Sequence, residues 1–228
     1  YMQFAGLQKT TLLDYPGKLA CTIFLGGCNF RCPFCHNTSI ILGKTTALSY
    51  DSIINFLKKR RGILDGVCIT GGEPLINDDI ISLIKDIHSM GYSIKLDTNG
   101  SFPDKLYNLI DERLLDYVAM DIKNSPEKYD ITAGVKVDID LIDRSVQLLK
   151  QGNIAYEFRT TIVKELHTTN DIDKIGQWIQ GAQKYYLQQF KDSGNILCKG
   201  YSACSKAEME DLVIIAKKYV PSSTLRGV

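Results

Sequence analysis

The stretch "GGCNFRCPFCHN" begins at residue 26 and holds three of the chain's seven cysteines, Cys28, Cys32 and Cys35. Their spacing is C-x3-C-x2-C, with no fourth cysteine nearby. Thiolates bind zinc or iron–sulfur clusters. A structural zinc site wants four ligands, usually as two separated pairs. Here a second pair is missing, and His36, next to Cys35, is poorly placed to chelate the same ion. A cubane cluster held by three thiolates keeps one iron without a protein ligand, and that iron can take a substrate or cofactor. Gly26 and Gly27 let the chain turn sharply, and Pro33 stiffens the loop.

Further polar motifs follow. "TGGEP" (70–74) offers Gly71 and Gly72, which permit close backbone approach, then the carboxylate of Glu73 and the fixed turn of Pro74. Read alone it is a turn leading into a helix with an acidic first turn. "DTNG" (97–100) places Asp97 before an Asn-Gly turn. In "MDIK" (120–123), period-two alternation puts Asp121 and Lys123 on one strand face, where a buried ion pair is the plain reading. In "AYEFRTTIV" the same alternation groups Glu157, Arg159 and Thr161 on one face and Tyr156, Phe158 and Thr160 on the other. A face carrying Glu and Arg on a strand buried on both sides implies a polar interior.

These motifs need strands to carry them. Apolar runs at 19–27, 65–72, 92–100, 115–123, 154–163 and 184–190 predict six strands. Helical patterns at 49–60, 76–91, 138–152, 169–181 and 205–219 lie between and after them, with Ser, Asn or Asp near several starts. This alternation predicts a single α/β domain over 1–228, a parallel sheet with outer helices. Six strands are fewer than the eight of a closed barrel, so a partial (β/α)6 barrel fits, with an open doubly wound sheet as the alternative. In both, ligands sit at the C-terminal strand ends, and the four motifs fall at four successive ones.

The formal charge of +1 gives no electrostatic case for nucleic acid or an acidic membrane. No apolar run approaches a membrane span, and the first residues lack a signal peptide's apolar core. The expectation is therefore a cytoplasmic protein, where clustered thiols mean metal or catalysis more than disulfides. Cys21 and Cys68 lie in strand patterns and read as core, and Cys198 and Cys204 form only a loose pair. His88 reads as a surface residue, and His167 lies on a loop with no evident role.

"CNFRCPFC", with Phe34 before the last cysteine, resembles the cluster loop of radical S-adenosylmethionine (SAM) enzymes. "CHN", "GGEP", "DTNG" and "MDIK" narrow the likeness to enzymes that place a radical on a glycine of a partner. The opening "LQKTTLLDYPGKLACTIFLGGCNFRCPFCHN" is most similar to activators of anaerobic ribonucleoside-triphosphate reductase, as are "YYLQQF" and "LRGV". The resemblance implies a radical SAM type partial barrel, a 4Fe–4S cluster on Cys28, Cys32 and Cys35, and SAM on its open iron. One electron, from a reductant such as flavodoxin or ferredoxin, splits SAM to a 5′-deoxyadenosyl radical that abstracts the glycine hydrogen. It implies SAM contacts from Phe34, Gly71, Gly72, Glu73, Pro74, Asp97, Asp121, Lys123 and Arg159. Within that set Glu73 meets the ammonium and Lys123 the carboxylate, Asp97 makes a polar contact to SAM or shares a monovalent cation beside its carboxylate, and Asp121 meets that cation or the ribose. The implied partner is the large subunit of the anaerobic reductase. Alternatives are another glycyl radical enzyme such as pyruvate formate-lyase, a small-molecule enzyme like 7-deazaguanine synthase, and a non-catalytic iron–sulfur or zinc protein. The chain departs from the pattern at Lys164 and Thr38, where relatives often have proline, and Lys164 bears on the loop that follows it.

Anaerobically reconstituted protein is expected to hold about four irons and as much sulfide. Cys28→Ala, Cys32→Ala or Cys35→Ala should each abolish the cluster, and Cys198→Ala and Cys204→Ala should keep it. Stoichiometric zinc without charge-transfer absorption would contradict this.

Overall fold

The apolar runs that mark strands in the sequence pair in register. The computed structural model describes residues 2–43, 48–192 and 194–228. Among these described residues eight strands follow one another along the chain: β1 (Phe4–Thr11), β2 (Ala20–Leu25), β3 (Gly66–Gly71), β4 (Ser93–Thr98), β5 (Tyr117–Asp121), β6 (Ala155–Ile162), β7 (Tyr185–Gln189) and β8 (Thr224–Arg226). The chain divides into two compact units. The first comprises 1–29, 39–98 and 102–118, the second 30–38, 99–101 and 119–228.

In the first unit β2, β3 and β4 are parallel, paired from Ala20↔Gly66 to Leu25↔Gly71 and from Gly66↔Ser93 to Ile69↔Leu96. The sequence expectation of parallel strands separated by helices holds, with β1 added antiparallel to β2. β1 was not expected as a strand because its burial is mostly partial and its apolar periodicity correspondingly weak. Helices α1 (Thr38–Ile41), α2 (Tyr50–Arg60), α3 (Ile80–Ser89) and α4 (Pro103–Asp111) fall between the strands. The Ser49 side chain caps α2 by accepting from the Ser52 N–H. Ile80, Leu83, Ile84 and Ile87 form the buried stripe of α3 at helical spacing. That helix starts later than the sequence pattern implies, because Pro74–Ile76 first makes a separate 3₁₀ turn. Helix α4 was not anticipated, although Pro103 at its first turn and buried Leu106 and Leu109 three residues apart were its signals.

In the second unit β6 and β7 are parallel from Phe158↔Tyr185, and β7 and β8 from Tyr186↔Thr224. Helices α5 (Tyr129–Ala133), α6 (Ile139–Gln151), α7 (Thr169–Trp178) and α8 (Lys206–Lys217) complete it. Thr168 with Asp171, and Ser205 with Glu208, form reciprocal capping boxes at α7 and α8. The core is apolar: Tyr156, Phe158, Ile162, Leu187, Val146 and Leu149 are buried, each such side chain contributing roughly 1.5–3 kcal/mol. Among the described residues no helix is long and apolar enough to cross a membrane.

Gly134 ends α5 at φ +69°, and a Cβ there would lie 2.0 Å from the Arg31 carbonyl oxygen. Gly134→Ala combines a left-handed backbone with a clash against main chain. It is expected to cost at least about 2 kcal/mol, read as a lowered urea midpoint. An unchanged midpoint would contradict the packing described.

Candidate active site

The first unit supplies the start of the cysteine loop. β2 runs into Gly26, whose N–H donates to the Gln3 carbonyl at 2.8 Å. The Gly27 carbonyl accepts the Glu73 N–H at 2.9 Å, and the Leu25 carbonyl accepts the Gly72 N–H at 2.9 Å. A Cβ on Gly72 would stand 1.8 Å from the Gly27 oxygen and 3.2 Å from Cβ of Cys28, and one on Gly71 2.2 Å from the Leu25 oxygen. Gly72 thus permits approach to the start of the cysteine loop's backbone, and Gly71 approach to Leu25 at the end of β2. Glu73 is fully buried, and its Oε1 accepts from the Leu75 N–H at 3.0 Å and the Thr98 hydroxyl at 2.8 Å. Its carboxylate therefore caps the Pro74–Ile76 turn and reaches the end of β4. Asp97 is ion-paired with buried Lys95, two residues before it on β4, and Thr70 donates to it at 3.4 Å.

The second unit carries the rest of the loop. The Cys35 N–H donates to the Cys32 carbonyl at 3.0 Å, closing a turn around Pro33 and Phe34. Phe34 is buried edge-on against Phe190, with ring centroids 6.2 Å apart. The Arg31 N–H donates to the Ala133 carbonyl and the Cys198 N–H to the Pro33 carbonyl, both at 2.8 Å. The Thr38 hydroxyl, where relatives often have proline, donates to the Asn195 carbonyl at 2.8 Å. The loop is thus held by α5 and by residues 195–198. Cys32 is buried, Cys28 and Cys35 are half-buried, and none of the seven cysteines is in a disulfide.

At the end of β5, Asp121 Oδ1 accepts from Arg159 Nε at 2.8 Å, and Oδ2 from Lys123 Nζ at 3.0 Å. Burial pushes the Asp121 carboxyl up, but the Arg159 and Lys123 cations outweigh it and hold it well below the usual range. Burial likewise opposes the charge on Lys123, while Asp121 and then Cys32 raise its pKa above the usual lysine value. The plain reading of an Asp–Lys pair is present, enlarged by the β6 arginine and set beside the cysteine loop. On the same strand Glu157, also fully buried, is bound by Arg226 of "LRGV" at 2.8 Å. The Arg226 guanidinium lies 3.7 Å from the centre of the Tyr186 ring.

The remaining candidates fall where the sequence implied. Cys21 and Cys68 are buried core, and His88 is exposed on α3. His167, given no role from sequence, is buried: its Nδ1 accepts the Val163 N–H at 3.1 Å and its Nε2 bonds the Lys123 carbonyl at 2.8 Å. Its partner is 44 residues away, so no local signal could have found it. Lys164 uses the N–H that proline lacks to bond the Ser202 carbonyl at 3.0 Å, and its ammonium pairs with Glu208 at 2.8 Å.

Among the described residues no three His, Cys, Asp or Glu side chains are grouped to hold one ion. A cubane needs no such grouping, since each thiolate takes a different iron. Three thiols outside any disulfide, within eight residues of chain, fit that donor set. A monovalent cation fits poorly. Asp97 already carries Lys95, and Asp121 carries Lys123 and Arg159, so each carboxylate has its counter-charge within the chain.

The family profile of the Radical SAM superfamily matches residues 22–178. A Methanocaldococcus jannaschii protein provisionally named a glycyl-radical enzyme activating enzyme is 32% identical over 98% of this chain and 95% of its own length. The pyruvate formate-lyase-activating enzyme of Listeria monocytogenes is 27% identical over 74% of this chain and 72% of its own. A 7-carboxy-7-deazaguanine synthase of Halobacterium salinarum is 39% identical, but over only 39% of this chain and 36% of its own. In fold, Streptococcus suis SuiB, solved with its precursor peptide SuiA, superposes over 88% of this chain with TM-score 0.71 at 13% identity, and this chain spans about half of it (47%). The chain belongs to the Radical SAM superfamily of enzymes and, within it, groups with the glycyl-radical enzyme activating enzymes.

The His167 bonds predict a pH effect. Burial is the main cause lowering its pKa below the usual value, with Lys128 also lowering it, against the carbonyls of Lys123 and Val163 and the charge of Asp171. The folded chain then refuses a proton that the unfolded chain accepts below about pH 6.5, so stability falls as pH drops through that range. The loss of urea midpoint between about pH 7.5 and pH 5.5 is expected to be smaller in His167→Gln than in the parent. Equal losses would contradict it.

Proposed function

We propose that Cys28, Cys32 and Cys35 hold a 4Fe–4S cluster, and that the chain activates a glycyl-radical enzyme, with the large subunit of an anaerobic ribonucleoside-triphosphate reductase as partner. When bound, the cluster and SAM would supply one-electron radical chemistry directed at a glycine Cα, with a reductant such as flavodoxin or ferredoxin as the electron source. The chain's own residues bind and orient. Glu73 would meet the SAM ammonium and Lys123 its carboxylate, by charge-assisted bonds. Phe34, Gly71, Gly72 and Pro74 would shape the surroundings, with Asp97, Asp121 and Arg159 as further polar contacts. In this reading Lys95 and Arg159 stand in for the monovalent cation expected near Asp97 and Asp121.

The whole-length match to the M. jannaschii relative carries the reading, because it leaves little of either chain outside the shared part. The likeness to the deazaguanine synthase covers well under half of each chain, which favours a protein substrate over a small molecule. The Listeria relative keeps pyruvate formate-lyase open as a second partner. The reductase is preferred for the opening "LQKTTLLDYPGK" and the C-terminal "LRGV", whose Arg226 is built into the second unit through Glu157.

With SAM and reductant, the cognate reductase should develop a doublet glycyl signal in electron paramagnetic resonance that collapses to a singlet when the glycine Cα is deuterated. Glu73→Ala and Lys123→Ala should each weaken SAM binding by roughly 1.5–3 kcal/mol while iron content holds. If instead a small molecule is consumed in step with 5′-deoxyadenosine and no glycyl radical enzyme responds, the activating reading is wrong.

A further inference from the structure

The backbone leaving β5 is held carbonyl by carbonyl. The Asp121 carbonyl lies 3.4 Å from the Tyr129 hydroxyl, the Ile122 carbonyl accepts the Thr160 hydroxyl at 2.8 Å, and the Lys123 carbonyl is bonded by His167 Nε2 at 2.8 Å. Thr160 is itself met by the buried Tyr185 hydroxyl at 2.8 Å, so a relay from β7 through β6 ends on Ile122, the residue after β5. The next residue, Asn124, is fully buried and donates to the Leu166 carbonyl at 3.0 Å and to Thr132 at 2.8 Å. Two connections are thereby latched twice, once in each direction: Asn124 reaches the turn after β6, and His167 reaches back from that turn to Lys123.

The imidazole's chemistry suits the latch. Nδ1 lies 3.1 Å from the Val163 nitrogen and 3.2 Å from the Val163 carbonyl oxygen, and Nε2 lies 2.8 Å from the Lys123 carbonyl; a proton on Nε2 serves the Val163 N–H and the Lys123 carbonyl together. Both ring nitrogens are used inside the protein. A buried side chain held through both ring nitrogens fixes a direction as well as a position. What it fixes is the main chain of the residue whose ammonium pairs with Asp121 and sits beside Cys32.

We propose that His167 is a positioning residue for SAM: by holding the Lys123 carbonyl it sets where the Lys123 ammonium points. This rests on the assignment of Lys123 to the SAM carboxylate, and the test separates the two. On cluster-loaded protein, SAM affinity is measured by calorimetry for His167→Asn, His167→Gln, Lys123→Ala and the Lys123→Ala/His167→Asn double variant. Iron content is counted, and hydrogen exchange over residues 122–128 is followed without SAM.

A Gln amide reaches the Nε2 position and an Asn amide does not, so the pair isolates the bond to Lys123. His167→Asn should bind SAM about tenfold more weakly, the effect of one well-placed hydrogen bond, at full iron content. His167→Gln should recover most of the affinity. In the Lys123→Ala background His167→Asn should add nothing, as expected of a residue acting through Lys123. Exchange over 122–128 should rise in the Asn variant and stay low in the Gln variant. Full SAM affinity in His167→Asn, an undiminished loss on top of Lys123→Ala, or unchanged exchange would overturn the proposal. If Lys123→Ala alone leaves SAM affinity intact, the assignment of Lys123 fails, and the exchange result still decides whether His167 sets that backbone.

Discussion

The carbonyl of Gly27 accepts the Glu73 N–H at 2.9 Å with no room for a side chain at Gly72. That contact fixes three things together: where the chain leaves β2, where Cys28 starts the cysteine loop, and where Glu73 enters its turn. Glu73 then spends its Oε1 on Leu75 and Thr98, carrying the constraint to the end of β4. Main chain against main chain is a stiff constraint, since neither side can yield by rotating a side chain. A loop meant to present thiolates at fixed spacing needs such a base.

Charge follows a similar logic in each unit. Lys95 answers Asp97 in the first, while Arg159 and Lys123 answer Asp121, and Arg226 answers Glu157, in the second. Unpaired, such charges would be costly at these depths. Paired, they give polar strand ends that hold their shape before any ligand arrives, which is what preorganisation requires. The donors on the carbonyls of residues 121–123 extend this rigidity into the backbone.

Much of this was legible in the sequence because it is local. The cysteine spacing, the Asp121–Lys123 alternation and the capping serines depend on neighbours within a few residues, and the parallel α/β fold follows from apolar runs alternating with helical patterns. Other features hang on distant partners. His167 acts on a residue 44 positions away and Arg226 on one 69 away, and neither distance has a local signature. Gly71 and Gly72 do sit at close backbone approaches, Gly71 against Leu25 of β2 and Gly72 against Gly27. Lys164, an apparent departure from the family pattern, supplies an N–H that the Ser202 carbonyl uses.

The central claim is that this chain's radical chemistry falls on a glycine of another protein. Its most direct test is isotope transfer. Cluster-loaded protein, SAM and reductant are mixed with partner reductase carrying deuterium at the glycine Cα, and the 5′-deoxyadenosine formed is analysed by mass spectrometry. The account predicts a deuterium in the 5′-deoxyadenosine, which disappears when that glycine is replaced by alanine. Unlabelled 5′-deoxyadenosine, formed at the same rate with and without the glycine, would contradict it.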